Sequence, residues 1–529
     1  MMIYACSLLG LVPGIALTKD CENIMFKNAL ISCANKEGLV EFVKPLAAGG
    51  MRIVSTGGTA KTLREAGIEV HSVSDQTGFP EVMDGRVKTL HPNIHMALLA
   101  RDHKPEDLET LKQNGLQPFD LVVGNLYAFE DALTRNLDDR ELTEFIDIGG
   151  PSFLRASAKS YERITVVCDP ADYQWISEKK ELTLQDRRYL AAKLYSHTSS
   201  YDAMISHQLN SDFQQEDIGF GGRRVSDLRY GENPHQKATW FRELGAEWGL
   251  HQAEILQGKA LSYNNLLDLN AAAETLLSFG DRAACVSVKH LNPCGVAVAD
   301  RIESAVKQSL SADPMSVFGG IIAINKSVNK ASAEALVDLF LECVVATDFD
   351  SEALAVLQKK KNLRLLKWPQ MMMGQPRRGV RSICGGFLVQ SADQVKDWSD
   401  DWTVVGEAPD PAMKARIEFA WKVCAHLKSN AIAVTSGDHT TGLGMGQVNR
   451  VDAVAHALER SKKFHPEAKE LILASDAFFP FPDSIEVAHQ GGVKWIIQPG
   501  GSIKDDEVIA AAKRLGVNMV LTGQRHFQH

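Results

Sequence analysis

Lys289 and His290 close the apolar run Val286-Ser287-Val288, immediately before Leu291-Asn292-Pro293-Cys294-Gly295. A β-branched run that stops at Asn-Pro and Gly delivers its last residues to a strand's carboxyl end, where open α/β sheets collect ligands. A lysine beside a histidine combines a fixed-charge donor with a group that takes or gives a proton near neutral pH. That pairing suits attack of a weak amine on an acyl carbon. A strand end capped by two solvated polar side chains has the same pattern.

A second group of reactive types lies in the first third of the chain. Ser32, Lys36, Thr56 and Thr59 flank a Gly57-Gly58 turn between an apolar run and a helical one. Glycines there allow close backbone approach, and the helix amino terminus offers unpaired N–H groups and a favourable dipole to an anion such as phosphate. Many α/β connections use such glycines with no ligand at all. Downstream, Arg86, Lys88 and Thr89 sit on a loop closed by Pro92, and the buried run 119–127 ends in Asn125 and Tyr127. Asp147 precedes Gly149-Gly150 and a helix over 153–159, in which Arg155 and Lys159 are one turn apart. No Ser-His-Asp order, reactive-looking cysteine or His-rich metal spacing accompanies them, so catalysis here would work by positioning and proton relay.

Further candidates follow after residue 228. A polar cluster contains Arg229 and Tyr230; Asn265 precedes an Ala-rich helix; Phe318-Gly319 leads into the apolar strand 321–324. Residues 428–430 end in Asn430, and a Gly-rich loop over 442–450 opens a helix at Arg450. The stretch 475–483, with Phe478, Pro480 and Asp483, is aromatic enough to sandwich a flat heterocycle or to form a satellite hydrophobic cluster. Arg525 and Phe527 follow a closing strand over 518–522, which predicts a docked end and no loose tail.

The elements that position these groups set the fold. At 529 residues the chain is too long for one core, and 45% hydrophobic with 23% charged residues is ordinary globular composition. A net charge of -9 gives no general attraction to nucleic acid or an acidic membrane. Nine scattered cysteines without a C-x-x-C favour reduced thiols in a cytosolic protein. Residues 1–18 are apolar but lack a basic flank and are broken by Gly10, Pro13 and Gly14, too short to span a bilayer. Residues 1–24 read as an over-extended start or disordered extension, with Met25 just ahead of the first strand. From there, alternating strands and helices predict a mostly parallel sheet covered on both faces. The polar, Gly-rich stretch 210–227 is the expected domain boundary, and 391–412 reads as a surface connection.

Several long segments resemble one family: STGGTAKTLREAG, GRVKTLHP, IDIGGPS, LRYGENPHQ, VKHLNPCGVA, KSNAI, SDAFFPF, QPGGSIKDDEVI and the terminal RHF. They are similar to the bifunctional purine-biosynthesis enzymes with AICAR transformylase and IMP cyclohydrolase activities, from about residue 29 to residue 529. The resemblance implies a methylglyoxal-synthase-like parallel-sheet α/β domain over 25–214, a linker over 215–227, and over 228–529 a transformylase of two cytidine-deaminase-like α/β subdomains. It implies formyl transfer from 10-formyltetrahydrofolate to AICAR, then dehydrative closure of FAICAR to IMP. No catalytic metal is expected, since Pro293-Cys294 is followed by Gly295-Val296-Ala297 and not by the second cysteine of a zinc deaminase. A cytoplasmic homodimer is implied, with transformylase sites at the subunit interface, small-molecule substrates, and neither nucleic acid nor membrane as partner.

By the same resemblance, His290 is the base and Lys289 the oxyanion or leaving-group partner. Arg229 and Arg525 hold AICAR, Asn265 and Asn430 orient the reacting groups, and Phe318, Phe478, Pro480 and Asp483 line the pocket. Tyr230, Gly319, Arg450 and Phe527 complete that set. In the first domain Ser32, Lys36, Thr56, Gly57, Gly58 and Thr59 take the phosphate, and Lys88, Tyr127, Asp147 and Lys159 form the ring-closing relay. Arg86, Thr89, Asn125, Gly149 and Gly150 add substrate contacts. The chain departs from the family at Ala34, Met96-Ala97, Ala128 and Ser160. These departures leave open an alternative: a transformylase whose first domain only binds a purine nucleotide.

Overall fold

The computed structural model describes residues 25–210, 216–374 and 378–529; the expectation for residues 1–24 lies outside these. Two compact units divide between Gly222 and Arg223, with Glu243–Gly245 returning to the first. No helix among the described residues is long and apolar enough to cross a membrane.

In the first unit, β1 (Asn28–Cys33), β2 (Arg52–Ser55), β3 (His71–Ser72), β4 (Leu121–Asn125) and β5 (Thr165–Val167) form one parallel sheet in the order β3-β2-β1-β4-β5. Leu30 and Val122 face one buried cluster while Ile31 and Val123 face another. Burial on both faces is why these strands read as continuous apolar runs without alternation. Two helices begin earlier than the sequence suggests: the turn glycines are themselves the first residues of Gly57–Glu65 and Gly149–Lys159. Glycine has low helix propensity, so sequence alone puts both starts past the glycines.

The second unit opens with the hairpin β6 (Gly222–Leu228) and β7 (Ala238–Glu243), so part of the stretch read as a linker is a strand. It continues with β8 (Glu254–Gln257), β9 (Ala283–Lys289), β10 (Asn292–Ala299), β11 (Ile321–Val328), β12 (Cys343–Phe349) and β13 (Arg364–Lys367). A separate hairpin, β14 (Gly379–Ile383) and β15 (Gly386–Gln390), precedes β16 (Thr403–Val405), β17 (Ile432–Ser436), β18 (His439–Gly444), β19 (Leu471–Ser475), β20 (Val493–Gln498) and β21 (Asn518–Leu521). Twelve of these strands join one sheet, β16-β21-β20-β19-β17-β18-β10-β9-β11-β12-β13-β8.

The order is an internal duplication. In each half a hairpin (β9-β10, β17-β18) pairs antiparallel with a third strand, which continues into two parallel neighbours and an antiparallel edge strand. The halves meet where β10 pairs with β18, Ala297 opposite His439, with Thr440 Oγ1 accepting from Val296 N at 3.0 Å. Helices Ile302–Ala312 and Arg450–Phe464 pack against this seam at glycines. A Cβ on Gly295 would stand 2.1 Å from Ser309 O, and one on Gly442 or Gly444 2.0 Å from Ala457 O or 2.1 Å from Ala453 O. Gly442 and Gly444 are therefore strand residues that let a helix approach, and the expected Gly-rich loop shrinks to the residues between β18 and Arg450.

Two other expectations change. The supposed surface connection 391–412 contains edge strand β16 and buried Trp402, whose ring centroid lies 6.5 Å from that of core Trp421. Asn292-Pro293 does not break the Lys289 strand: it opens β10, because His290 and Leu291 make a two-residue hairpin turn.

Candidate active sites

In the first unit the site assembles at the carboxyl ends of β1, β2 and β4 and the amino termini of helices Gly57–Glu65 and Gly149–Lys159. Ser32 Oγ and Thr56 Oγ1 lie 2.7 Å apart, beside the unpaired N–H groups of the first helical turn. A Cβ on Gly57 would stand 3.3 Å from Lys88 Nζ and one on Gly58 3.9 Å from Lys36 Nζ, so both ammonium groups lie over the helix start. Backbone N–H groups, a helix dipole, a hydroxyl pair and two lysines make an anion cradle. Two predicted ligands are otherwise employed. The Thr59 hydroxyl accepts from Cys33 N and donates to Cys33 O, each at 3.0 Å, which leaves its backbone N–H for the cradle. Asn125 binds Asn35 reciprocally, its Oδ1 accepting from N and its Nδ2 donating to O, each at 2.8 Å. It shapes the loop after β1.

Asp147 stands at the start of helix Gly149–Lys159, where Gly150 N donates to its Oδ1 at 2.8 Å. Burial pushes its carboxyl above the ordinary range, while the N–H groups of Gly150 and Tyr127 and the charge of Lys88 oppose that rise. Tyr127 is raised in turn by burial and by the charges of Asp147 and Glu81. Lys88, Tyr127 and Asp147 are thus electrostatically coupled. Gly149 and Gly150 are needed for space: a Cβ would meet Thr89 Oγ1 at 2.6 Å or Asp147 Oδ2 at 2.4 Å. Arg86 pairs with Glu144. Lys159 does not join this group; it is exposed in the last turn of the helix, about 15 Å of helical rise from Gly149. Sequence reasoning missed Glu81, 3.6 Å from Lys88 Nζ, and Tyr201, whose hydroxyl accepts from Asp147 N at 2.9 Å and donates to Phe145 O at 3.0 Å. Nothing local in the sequence marks either residue.

In the second unit Lys289 Nζ donates to Phe318 O at 2.7 Å, and His290 stands exposed at the hairpin tip. Both border a cavity of about 290 Å³ together with Asn292, Thr440, Met445 and Arg460. Asn292 Oδ1 accepts from Lys428 N at 3.1 Å, which holds the tip beside the segment leading to Asn430. The Ser429–Asn430 peptide is cis. Asn430 Nδ2 donates to Gln447 O at 2.8 Å, and its Oδ1 accepts from Arg450 at 2.7 Å. Buried Arg450 also donates to Ser475 Oγ at 2.9 Å and pairs with fully buried Asp476. Three of its five guanidinium N–H donors are thus engaged by protein partners, so Arg450 ties Asn430 to the segment that carries Asp476.

Asn265 forms a capping box with Ser262 at the start of helix Tyr263–Leu277, both bonds at 3.1 Å. Phe318 is exposed, with Phe340 5.4 Å away between centroids, and Gly319 has φ +74° and donates to Phe340 O at 2.7 Å. Phe478 is exposed beside buried Phe479, and Asp483 Oδ1 accepts from Ser484 N at 2.6 Å. Arg525 stacks 4.6 Å over Phe527 and Arg229 5.6 Å over Tyr230, the latter pair on the loop after β6. The closing segment is docked: His526 is 1% exposed and its backbone N donates to Asp476 O at 3.0 Å, and Ser429 N donates to Gln528 O at 2.9 Å. Burial raises the thiols of Cys33, Cys168, Cys285, Cys294 and Cys343 to about 12, far from nucleophilic. The residues that sequence reasoning missed here are Asp313 and Arg460, which pair at the cavity, Asp268, whose Oδ1 accepts from Leu291 N at 2.6 Å, and Asp476. Asp476 alone had a signal, lying within the aromatic stretch.

The AICARFT/IMPCHase bienzyme family model matches residues 157–460, and an MGS-like domain matches residues 38–152. The "Bifunctional purine biosynthesis protein PurH" of Aquifex aeolicus (strain VF5) is 44% identical over 508 residues, 95% of this chain and 100% of that protein. Its namesakes from Thermoanaerobacter sp. (strain X514) and Persephonella marina (strain DSM 14350 / EX-H1) are each 46% identical, covering 96% of this chain and 100% of their own length. A solved structure titled "Crystal structure of ForH" is 29% identical with a TM-score of 0.32, over 36% of this chain and 100% of that one. Matched across more than half its length by the family model and over at least 95% of it by these relatives, the chain belongs to the AICARFT/IMPCHase bienzyme family.

Proposed function

We infer that this chain catalyses the last two steps of IMP biosynthesis, formyl transfer to AICAR and ring closure of FAICAR. It is a bifunctional enzyme, and the transformylase-only alternative is set aside by its full-length likeness to bifunctional relatives. The observation that carries the assignment of the chemistry is that each unit holds its own set of proton-transfer groups: Lys88, Tyr127 and Asp147 in one, Lys289 and His290 in the other.

For transfer, the formyl donor is 10-formyltetrahydrofolate. The AICAR amine is a poor nucleophile because its lone pair is delocalised into the imidazole and carboxamide. As its nitrogen bonds to the formyl carbon, His290 takes the amine proton; the carbon–N10 bond breaks and N10 leaves with a proton, for which Lys289 is the donor. The products are FAICAR and tetrahydrofolate. For closure, the carboxamide nitrogen attacks the formyl carbon and water departs. Lys36, the Ser32–Thr56 pair and the start of helix Gly57–Glu65 hold the phosphate, while Asp147, Tyr127 and Lys88 move the protons. The enzyme works as a homodimer with the transformylase site between subunits. Supporting this, the hairpin β14-β15 exposes Val380, Ile383, Phe387 and Leu388, and a lone two-stranded hairpin needs a covering surface.

The test is one coupled assay on the full chain, supplying AICAR and 10-formyltetrahydrofolate and following FAICAR and IMP together. Both should appear in sequence. FAICAR accumulating with IMP only at the spontaneous rate would overturn the cyclohydrolase half.

A further inference from the structure

We propose that Asp268 is a positioning residue for formyl transfer, its carboxylate clamping the two-residue turn that presents His290 to the substrate. The proposal rests on the reading of His290 as the base.

Lys289 pairs with Asn292, leaving His290 and Leu291 as the whole hairpin turn. Their φ values are +52° and +64°. A two-residue turn with both central residues in the left-handed region is normally made by Asn-Gly or Gly-Gly, because side chains there crowd the backbone. Histidine enters that region more readily than most side chains, but leucine does not and has no side-chain hydrogen bond to offer in return. Strained residues of this kind persist only where their surroundings over-determine them.

Asp268 supplies that constraint. Its Oδ1 accepts from Leu291 N at 2.6 Å, and its carboxylate also takes the His290 N–H. Such charge-assisted bonds are the stronger class. Asp268 is carried on helix Tyr263–Leu277, whose start is fixed by the Ser262–Asn265 capping box and whose next turn buries Leu269 and Ala272 completely. The clamp therefore has a rigid base. On the other flank Asn292 Nδ2 donates to His290 O at 3.1 Å. Burial raises the Asp268 carboxyl above its ordinary range, against the N–H groups of Leu291 and His290. A partly buried carboxylate is costly unless its partners need it, and the partners here are the backbone of the turn.

In Asp268→Ala, kcat for formyl transfer is expected to fall about 10–100-fold, the scale of a misplaced catalytic group. KM for AICAR should stay within about threefold and FAICAR cyclisation in the same sample should not change. Asp268→Asn keeps the oxygen that faces Leu291 N and should recover most of the loss. Adding Leu291→Gly to Asp268→Ala should recover it too, since glycine takes positive φ unaided. A merely structural carboxylate would show neither rescue. Asp268→Ala within about threefold of the parent rate, or both rescues failing, overturns the proposal. His290→Ala run alongside separates the two ideas: if it is active, the base assignment is wrong, and if it is inactive while Asp268→Ala is normal, only the clamp is wrong. Should Asp268→Ala not accumulate, Asp268→Glu, whose longer arm displaces the oxygen, should lose at least about fivefold in kcat at constant KM. A parent-like Asp268→Glu also overturns the clamp.

Discussion

In the proposed mechanism His290 and Asp147 carry the proton transfers, and each yields a measurement. His290→Ala should lower formyl transfer by about 10²–10⁴-fold, the usual cost of a positioned base. FAICAR cyclisation should stay intact, since the candidates for that reaction all lie before Gly222. A variant that binds AICAR and transfers formyl within a few-fold of the parent rate would reduce His290 to a hairpin-tip residue. Asp147 makes a claim about stability as well as catalysis. Its folded carboxyl is raised, chiefly by burial, so its contribution is fully present below the ordinary carboxyl range and is lost as pH rises through the folded value. At neutral pH the ionised group is a liability to the fold. Asp147→Asn keeps an acceptor for Gly150 N and should raise Tm at pH 7 while cyclisation falls. That gain should shrink in acid, where the parent carboxyl is protonated; a Tm difference independent of pH would contradict the burial account.

At the scale of elements, the seam between β10 and β18 depends on glycine. Gly442→Ala and Gly444→Ala each drive a Cβ into a carbonyl of helix Arg450–Phe464, and backbone cannot rotate away. Overpacking of this kind costs about 1–3 kcal/mol or more, and it displaces the helix that carries Arg450 to Asn430. Both variants should lower Tm and formyl transfer together, read by thermal melts and by tetrahydrofolate release. Much of this level was legible in advance. The first strand after Met25, the apolar run before the Gly57-Gly58 turn and the run over 119–127 are β1, β2 and β4 as expected, and the glycines stand at helix starts. The Lys289 strand was placed correctly too, but its continuation was not, because Asn-Pro-Cys-Gly carries turn chemistry while tertiary pairing makes it a strand.

For the whole molecule, the test concerns the second copy. Phe387→Glu with Leu388→Asp on β15 should shift sedimentation from dimer to monomer and suppress formyl transfer, while FAICAR closure continues. A double variant that stays dimeric and fully active would remove this hairpin from the interface. Each half of the large sheet ends in a short edge strand, β8 or β16, that pairs antiparallel with a parallel core strand. Capping the edges in this way leaves few unpaired backbone groups for aggregation. The hairpin β14-β15 is the strand pair exposed on both strands among the described residues.

By itself the sequence determined the class of most elements around β1, β2 and β4, the place of the glycine turn after β2 and of the Lys-His pair, and the long motifs that carry the resemblance. These are short-range properties: periodicity, breakers, and residue types within one turn or strand of each other. Only the tertiary structure decided which polar side chains remain available for chemistry. The Thr59 hydroxyl and the Asn125 amide are engaged at the end of β1 and on the loop after it, and three guanidinium donors of Arg450 go to Asn430, Ser475 and Asp476. Lys159 is exposed in the last turn of its helix, about 15 Å of helical rise from Gly149. Asp268, Tyr201 and Glu81 became visible only in the fold, since each meets a partner that local sequence does not place beside it. A buried donor or acceptor must be paired, and its partner is chosen by packing in three dimensions.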